Sequence, residues 1–261
     1  MPLFFDPALG GVVLALGLVL GLVMGSGMNC LALRIVAGET WTKGRSRCPA
    51  CGHELSPREL IPLLSWLMQK GKCRHCGAPV SKRYPITEAA MAVLYGSILL
   101  RFGLSFDTLS GLVLVTCLLA LSLVDLDIQE IPDVLLLVPA AVRLVLLVVE
   151  HGFSLPLWQN VWPALALGGS VLVLSLLMDK VLGRESMGGG DIKLLFLLGL
   201  YLSFPCCVLL IILSCIVGLV LAFTLGARKG VAFPFGPAIA LAAWIVLMIG
   251  EPVTAWYLGL F

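Results

Sequence analysis

The chain has 261 residues, of which 60% are hydrophobic and only 12% are charged, and its mean hydropathy is +1.06. These values exclude a soluble globular domain and indicate an integral membrane protein. The formal net charge of +2 says little by itself, because the positions of the charges matter more than their sum.

Continuously apolar runs recur along the chain, and each approaches the roughly 20 residues that a membrane-spanning helix requires. Barrel strands would alternate apolar and polar residues, so we predict helices. The first run is too long for a signal peptide and has no basic flank, so we interpret it as a retained span. The sequence predicts an all-α polytopic membrane protein with about eight transmembrane helices, near 8–31, 86–102, 107–125, 134–150, 160–180, 191–204, 206–227 and 234–258.

The only long polar stretch is the loop 35–85. Ten of the seventeen Lys and Arg residues fall between Arg34 and Arg83. By the positive-inside rule this loop lies in the cytoplasm, and counting spans from it places the connections near 126–133, 181–190 and 228–232 on the same side. Lys180, Arg184, Arg228 and Lys229 agree with that orientation.

Two CxxCG motifs lie in this loop, and 21 residues separate Cys51 from Cys73. The pairing of four thiolates suits tetrahedral zinc, and the glycine after each pair permits a tight turn whose N–H groups point at sulfur. A disulfide pair and redox chemistry are the alternatives, although thiols in the cytosol are normally reduced. We expect His53 and His75 to be bystanders, because four cysteines complete a site. The predicted ligands are Cys48, Cys51, Cys73 and Cys76.

A zinc ion held by four cysteines has no open coordination position, so we expect it to stabilise the loop and not to react. The chemistry must therefore come from other residues. Arg143 falls inside the fourth apolar run, where it either snorkels or faces the bundle interior.

Two groups of acids stand at predicted cytoplasmic ends of spans, in "LVDLDIQEIPD" and "SMGGGDIKLL". Asp125 ends the third predicted span and Asp191 begins the sixth, so both lie at the same depth on the same side. Two such carboxylates can share one proton, and one then activates water while the other protonates the leaving group or polarises the carbonyl. This pattern indicates an aspartic protease.

The glycines beside Asp191 have two interpretations. Gly188 and Gly190 carry no Cβ, so they would let an extended substrate backbone approach closely. Alternatively, they simply connect two spans, with Asp191 as a helix-start acid. Similarly, Pro234 and Gly236 in "FPFGP" break the start of the last span, and this irregular backbone either closes the active-site cleft or is a kink.

Together, these stretches resemble the type IV prepilin peptidase family, the bifunctional leader peptidase and N-methyltransferase enzymes. The resemblance extends over nearly the whole chain, and the motifs occur in family order: "GSGMN" at 25–29, the two CxxCG motifs, "KRYPITE" at 82–88, "DLDIQEIPD" at 125–133, "GGGD" at 188–191 and "FPFGP" at 233–237. The resemblance implies that Asp125 and Asp191 are the catalytic pair. An acid at Asp127, two residues away on a helix, would face another direction.

The resemblance also implies the reaction. Such enzymes remove the short basic leader of type IV prepilins or pseudopilins at the cytoplasmic membrane face, in the bacterial inner membrane. They then methylate the new N-terminus with S-adenosylmethionine. The family pattern places the methyltransferase in the loop 35–85, near Gly71 and Glu88, whose ordinary interpretations are a turn glycine and a helix-start acid.

We therefore expect a first transmembrane segment at 1–34, the zinc-binding loop at 35–85 and a transmembrane peptidase domain at 86–261. The expected partners are prepilin-like substrates and membrane lipid, with no nucleic acid. The main alternative is a leader peptidase without methyltransferase activity. A methyltransferase or substrate-binding protein that has lost proteolysis is a further hypothesis, but both aspartates are present. A small transporter is another, but the acids cluster at the cytoplasmic membrane rim instead of mid-bilayer.

Overall fold

The computed structural model describes residues 7–39, 44–183, 186–224 and 233–260, so Arg184, Arg228 and Lys229 lie outside the described residues. Those ranges contain nine α-helices and no β-strand. The helices are α1 (Pro7–Val36), α2 (Leu64–Met68), α3 (Arg83–Phe102), α4 (Phe106–Ile128), α5 (Asp133–His151), α6 (Leu155–Leu182), α7 (Gly189–Gly199), α8 (Phe204–Thr224) and α9 (Gly236–Leu258). The prediction of an all-α membrane architecture is confirmed.

Within the described ranges, seven helices are long and apolar enough to cross a membrane, namely α1, α3, α4, α5, α6, α8 and α9. The structure differs from the expectation of about eight spans at the run 191–204. There α7 has only 11 residues, about 16 Å of helix, which is too short to cross a bilayer alone. The run breaks because α7 ends at Gly199, and α8 begins with Pro205 in its first turn, where proline is favoured.

The chain forms two compact units, Met1–Ala120 and Leu121–Phe261. In the first unit, α1 packs along α3 through a stripe of glycines spaced four residues apart. A Cβ at Gly21 would lie 2.8 Å from the Ala92 Cα, and one at Gly25 would lie 2.8 Å from the Glu88 Cα. Small residues at this spacing let two helix backbones approach closely, as in other membrane helix pairs.

In the second unit, α7 lies beside α5, and polar contacts from α5 reach both ends of α7. Lys193 Nζ lies 2.7 Å from Asp133 Oδ1 near the start of each helix. Arg143 is only 8% exposed, and its Nε donates a hydrogen bond of 3.2 Å to the Leu200 carbonyl at the end of α7. Arg143 therefore faces the bundle interior, where its charge complements a helix C-terminus.

Candidate functional site

The carboxylate of Asp125 is held by the start of another helix. Asp125 lies in the last turn of α4 and is only 5% exposed. The backbone N–H of Gly236, at the start of α9, donates a 2.9 Å hydrogen bond to Asp125 Oδ2. A Cβ at Gly236 would lie 2.7 Å from that same oxygen, so only glycine permits this approach. The "FPFGP" segment thus brings a backbone donor to a buried acid.

Asp191 lies in the first turn of α7, which begins directly after Gly188. The Asp191 N–H donates to the Gly188 carbonyl at 3.1 Å, and a Cβ at Gly188 would lie 3.4 Å from Asp191 Oδ2. Asp191 is intermediate in burial. Its side chain therefore stands at a helix N-terminus, close to the glycine turn that precedes it.

Ile131, in the connection between α4 and α5, joins the surroundings of the two acids. A Cβ at Gly190 would lie 3.0 Å from the Ile131 Cβ, and a Cβ at Gly236 would lie 3.4 Å from the Ile131 Cδ1. Gly190 precedes Asp191 directly, and Gly236 binds Asp125 through its N–H group. The structure therefore brings Asp125 and Asp191 into one small region of the second unit.

Electrostatics also couples the two acids. Burial raises the pKa of Asp191 from 3.8 to about 6, and the negative charge of Asp125 adds to the increase. Burial has this effect because a carboxylate loses hydration when it leaves water, and a nearby like charge further disfavours ionisation. Asp191 therefore keeps its proton to a higher pH than an ordinary aspartic acid.

The other acids of "DLDIQEIPD" do not join this pair. Asp127 and Glu130 are exposed, and Asp133 pairs with Lys193. Asp127 differs from Asp125 because two helical residues correspond to a rotation of about 200°. Burial thus distinguishes Asp125 from the acid two positions later.

The three glycines before Asp191 are not equivalent. The space that a Gly190 side chain would need is filled by Ile131, so its missing Cβ serves internal packing. A Cβ at Gly189 would meet nothing within 4 Å. The open space is therefore beside Gly189. Sequence reasoning did not single out this residue, although the run of three glycines before Asp191 indicates it.

Pro234 precedes Gly236 by two residues and is intermediate in burial. α9 starts at Gly236 with Pro237 in its first turn, where the absent N–H of proline is tolerated. Consequently, the irregular part of "FPFGP" ends at Gly236, the residue whose N–H donates to Asp125.

The four loop cysteines form a compact cluster. Their Sγ atoms all lie within 4.8 Å of one another, and Cys48 Sγ is 3.9 Å from Cys76 Sγ. All four are free thiols and not disulfides. Four thiols this close together are a donor set suited to one tetrahedral zinc ion, so the residues suit the metal that the spacing predicts.

The two cysteine motifs have the same local structure. Gly52 and Gly77 have φ angles of +72° and +73°, and the N–H of each returns to the carbonyl of the first cysteine of its motif. The backbone N–H groups of Cys51 and Ala50 lower the pKa of the Cys48 thiol to about 7. The pKa of Cys51 shifts the other way: the His53 N–H lowers it, but burial and the neighbouring Cys48 and Cys76 sulfurs outweigh this and raise it to about 11, because a negative charge on one sulfur disfavours a second beside it.

A second cluster of possible ligands lies in the same loop. His53, Glu59 and His75 each place one ligand atom within 4.8 Å of the other two. The Ser56 N–H donates to Glu59 at 2.9 Å and lowers the pKa of this carboxyl. Sequence reasoning missed the group, although "SPRE" is a capping-box pattern and each histidine lies within two residues of a cysteine.

Gly71 and Glu88 both have internal contacts in the first unit. Gly71 has a φ of +69°, and a Cβ there would lie 2.8 Å from the Trp66 ring. Glu88 is buried, and its Oε2 accepts a 2.7 Å hydrogen bond from the Leu63 N–H. These contacts give each residue a structural role beside the predicted one in methyl transfer.

Comparison with known proteins supplies independent information. Residues 19–102 match the model of the Bacterial Peptidase A24 N-terminal domain, and residues 112–223 match that of the Type IV leader peptidase family. The chain is 40% identical to the prepilin leader peptidase/N-methyltransferase of Pseudomonas aeruginosa strain PAO1, over 82% of this chain and 74% of that protein.

Two further relatives of the same name are similar. The protein from Stutzerimonas stutzeri is 39% identical over 82% of this chain and 74% of its own length. The protein from Neisseria gonorrhoeae is 32% identical over 91% of each chain. No solved structure matches this chain.

Proposed function

Because this chain belongs to the prepilin leader peptidase/N-methyltransferase family, we propose that it removes the basic leader of prepilin-like substrates and methylates the new N-terminus. The observation that carries the peptidase half is the meeting of Asp125, Asp191 and the Gly236 N–H group in the second unit. Two neighbouring carboxyl groups in different environments can act as the acid and the base that hydrolysis of a peptide by water requires.

The two acids divide the proton chemistry in this proposal. Asp191, whose pKa is raised to about 6, donates its proton to the peptide carbonyl oxygen as water attacks the carbonyl carbon. Asp125 accepts a proton from the attacking water, and the Gly236 N–H fixes the orientation of its carboxylate. When the C–N bond breaks, Asp125 passes the proton that it took from the water to the leaving amine, and a hydroxyl of the diol intermediate returns a proton to Asp191. The space beside Gly189 admits the extended substrate backbone.

We place this site at the cytoplasmic face of the bacterial inner membrane. The support is the concentration of Lys and Arg in the loop 35–85 and the position of Asp125 at the end of an apolar helix. A prepilin-like substrate suits this position, because its basic leader would lie in the cytoplasm beside a hydrophobic helix within the bilayer. Type IV prepilins and pseudopilins are therefore the proposed substrates, and membrane lipid surrounds the helices.

The methyl-transfer half of the proposal belongs to the loop 35–85, with the peptidase in residues 86–261. S-adenosylmethionine would supply the methyl group, and Gly71 and Glu88 are the candidate residues for this half. In this proposal the four cysteines hold a structural zinc ion, whose closed site takes no part in either reaction. The alternative is a leader peptidase without methyltransferase activity.

One experiment tests both halves. Purified protein in detergent is incubated with a prepilin-like substrate and S-adenosylmethionine, and the mass of the N-terminal peptide of the product is recorded. The proposal expects a cleaved product with one added methyl group. A cleaved but unmethylated product would support the alternative, and no cleavage of several prepilins would refute the peptidase.

Three variants identify the catalytic pair in the same assay. Asp125→Asn and Asp191→Asn are close in shape to the native residues but cannot exchange the proton, so each is expected to abolish cleavage with little change in folding. Asp127→Asn is the matched control, since Asp127 is exposed and lies only two residues from Asp125. Full activity in either of the first two variants would contradict the assignment.

A further inference from the structure

We propose that His53, Glu59 and His75 form a second transition-metal site, separate from the four cysteines and suited to Zn²⁺. His53 directly follows the first cysteine motif, Glu59 lies in the 3₁₀ turn Pro57–Leu60, and His75 lies inside the second motif. The site therefore joins three segments of the loop.

The arrangement of the two imidazoles is the first support. The rings of His53 and His75 have centroids 3.4 Å apart and an interplanar angle of 34°. At this separation each ring places one nitrogen within 4.8 Å of the other and of a Glu59 carboxylate oxygen, so both can face one ion. Both side chains are accessible to solvent, so an ion can reach them.

Glu59 provides the second and independent support. It is only 9% exposed, and its Oε2 is held by the Ser56 N–H and hydroxyl groups at 2.9 and 2.7 Å. Its Oε1 is buried and has no hydrogen-bond partner in the described part of the chain. A buried carboxylate oxygen without a donor is costly, and a cation would remove that cost.

The direction of this oxygen identifies where the ion would lie. Oε1 of Glu59 is 3.7 Å from Nε2 of His75, which is too long for a hydrogen bond but close for two ligands of one metal. Tetrahedral zinc with bonds of about 2.0–2.1 Å separates its ligand atoms by about 3.4 Å. The three ligand atoms, all within 4.8 Å of one another, need only a small contraction.

The ligand set also differs chemically from the cysteine cluster. Two imidazoles and one carboxylate leave a coordination position for water, and such sites take zinc, cobalt or nickel. Without thiolates, we expect weaker binding than at the four cysteines. A metal here would link the first motif, the 3₁₀ turn and the second motif.

The test measures the metal content of the full chain, purified in detergent with an affinity tag that contains no histidine. The protein is equilibrated with buffered zinc, and bound zinc per chain is measured by mass spectrometry. We expect Glu59→Gln to bind one ion fewer than the native protein. Glutamine at this capping position still accepts from Ser56, so the turn is preserved while the charged ligand is lost.

His75→Ala is expected to lose the same single ion, and His151→Ala is the matched control. The chain has three histidines, and His151 lies at the end of α5, outside the loop, so its replacement should leave the zinc content unchanged. Equal zinc content in the native protein, Glu59→Gln and His75→Ala would overturn the proposal and leave an ordinary ion pair between His75 and Glu59.

A second measurement separates loss of a ligand from loss of folding. Cobalt bound by thiolates gives charge-transfer absorption, whereas cobalt bound by imidazole and carboxylate does not. In Glu59→Gln the thiolate absorption should be retained. Competition with a mild chelator should show that cobalt binds at the site of His53, residue 59 and His75 at least about tenfold more weakly than in the native protein. Disappearance of the thiolate absorption would show that Glu59 only supports the fold, and would refute the second site.

Discussion

Replacing Gly236 with alanine should impair catalysis through Asp125 alone. The new Cβ would lie 2.7 Å from Asp125 Oδ2 and 3.3 Å from its Cγ, and carbon atoms in real structures do not approach oxygen this closely. Either the carboxylate rotates or the start of α9 moves. Both responses disturb the 2.9 Å hydrogen bond from the Gly236 N–H to Asp125.

The magnitude follows from the bond that is disturbed. A hydrogen bond to a charged group contributes about 1.5–3 kcal/mol. If the reacting geometry depends on it fully, cleavage slows by about 10- to 150-fold, because 1.36 kcal/mol corresponds to a factor of ten in rate. The loss should appear in kcat more than in KM, since in the proposed mechanism Asp125 acts on the reacting bond and does not hold the substrate.

The assay is the rate of prepilin cleavage in detergent at several substrate concentrations, with thermal unfolding recorded for each variant. Gly169→Ala is the matched control, because a Cβ there, within α6 of the same unit, would meet nothing within 4 Å. Alanine in a helix is favoured over glycine by up to about 1 kcal/mol, so this control should be active and no less stable. A kcat for Gly236→Ala within twofold of the native value would refute the reasoning.

Two further predictions concern the helix α7. The pKa of Asp191 in the folded chain, about 6, lies above the ordinary value of 3.8, so its contribution to the stability of the folded state is lost as pH rises from 3.8 to 6. Asp191→Asn should remove this contribution to the dependence of the melting temperature on pH. The native cleavage rate should decline as pH rises above about 6, because Asp191 then loses the proton that the proposed mechanism requires. Arg143→Met should destabilise the protein by about 1.5–3 kcal/mol, since it leaves the Leu200 carbonyl without its buried charged donor. The exposed Arg101, whose guanidinium lies 5.6 Å from the Phe102 ring, is the control, and Arg101→Met should change stability by less than about 0.5 kcal/mol. The same dependence of melting temperature on pH in the native protein and in Asp191→Asn would contradict the first expectation. Equal stabilities of the two arginine variants would contradict the second.

Local patterns in the sequence predict the features that depend on local composition. The apolar runs indicate the long helices, and the CxxCG spacing indicates the compact cysteine cluster that the structure contains. The end of α7 at Gly199 is harder to predict from the sequence, because hydropathy remains high from Ile192 through Leu202. Hydropathy indicates the apolar character of a run and not the residue at which its helix ends. Glycine and proline in this run are the only local signs of the break.

Long-range contacts explain most of what the sequence leaves open. The bond between Gly236 and Asp125 joins residues 111 positions apart, and no periodicity within either segment reports that contact. Similarly, His53 and His75 meet only because the two cysteine motifs lie against each other. The sequence identifies Asp125 and Asp191 as acids at the predicted ends of spans. The hydrogen bond from Gly236 to Asp125 and the packing of Ile131 against Gly190, beside Asp191, are visible only in the folded chain.

The protonation of Asp191 results from two opposing effects, and their balance has a functional consequence. A carboxylate in the first turn of a helix is stabilised in its charged form by about 0.3–1 kcal/mol, which would lower its pKa. Burial and the charge of Asp125 act in the other direction and dominate, since the pKa rises to about 6. The helix N-terminus therefore moderates the increase without cancelling it. A more deeply buried Asp191 would bind its proton too tightly to release it, whereas an exposed one would have no proton to donate. The position of Asp191 in the first turn of a short helix, close to the open space beside Gly189, suits the role that we propose for it, an acid that donates and recovers a proton in each cycle.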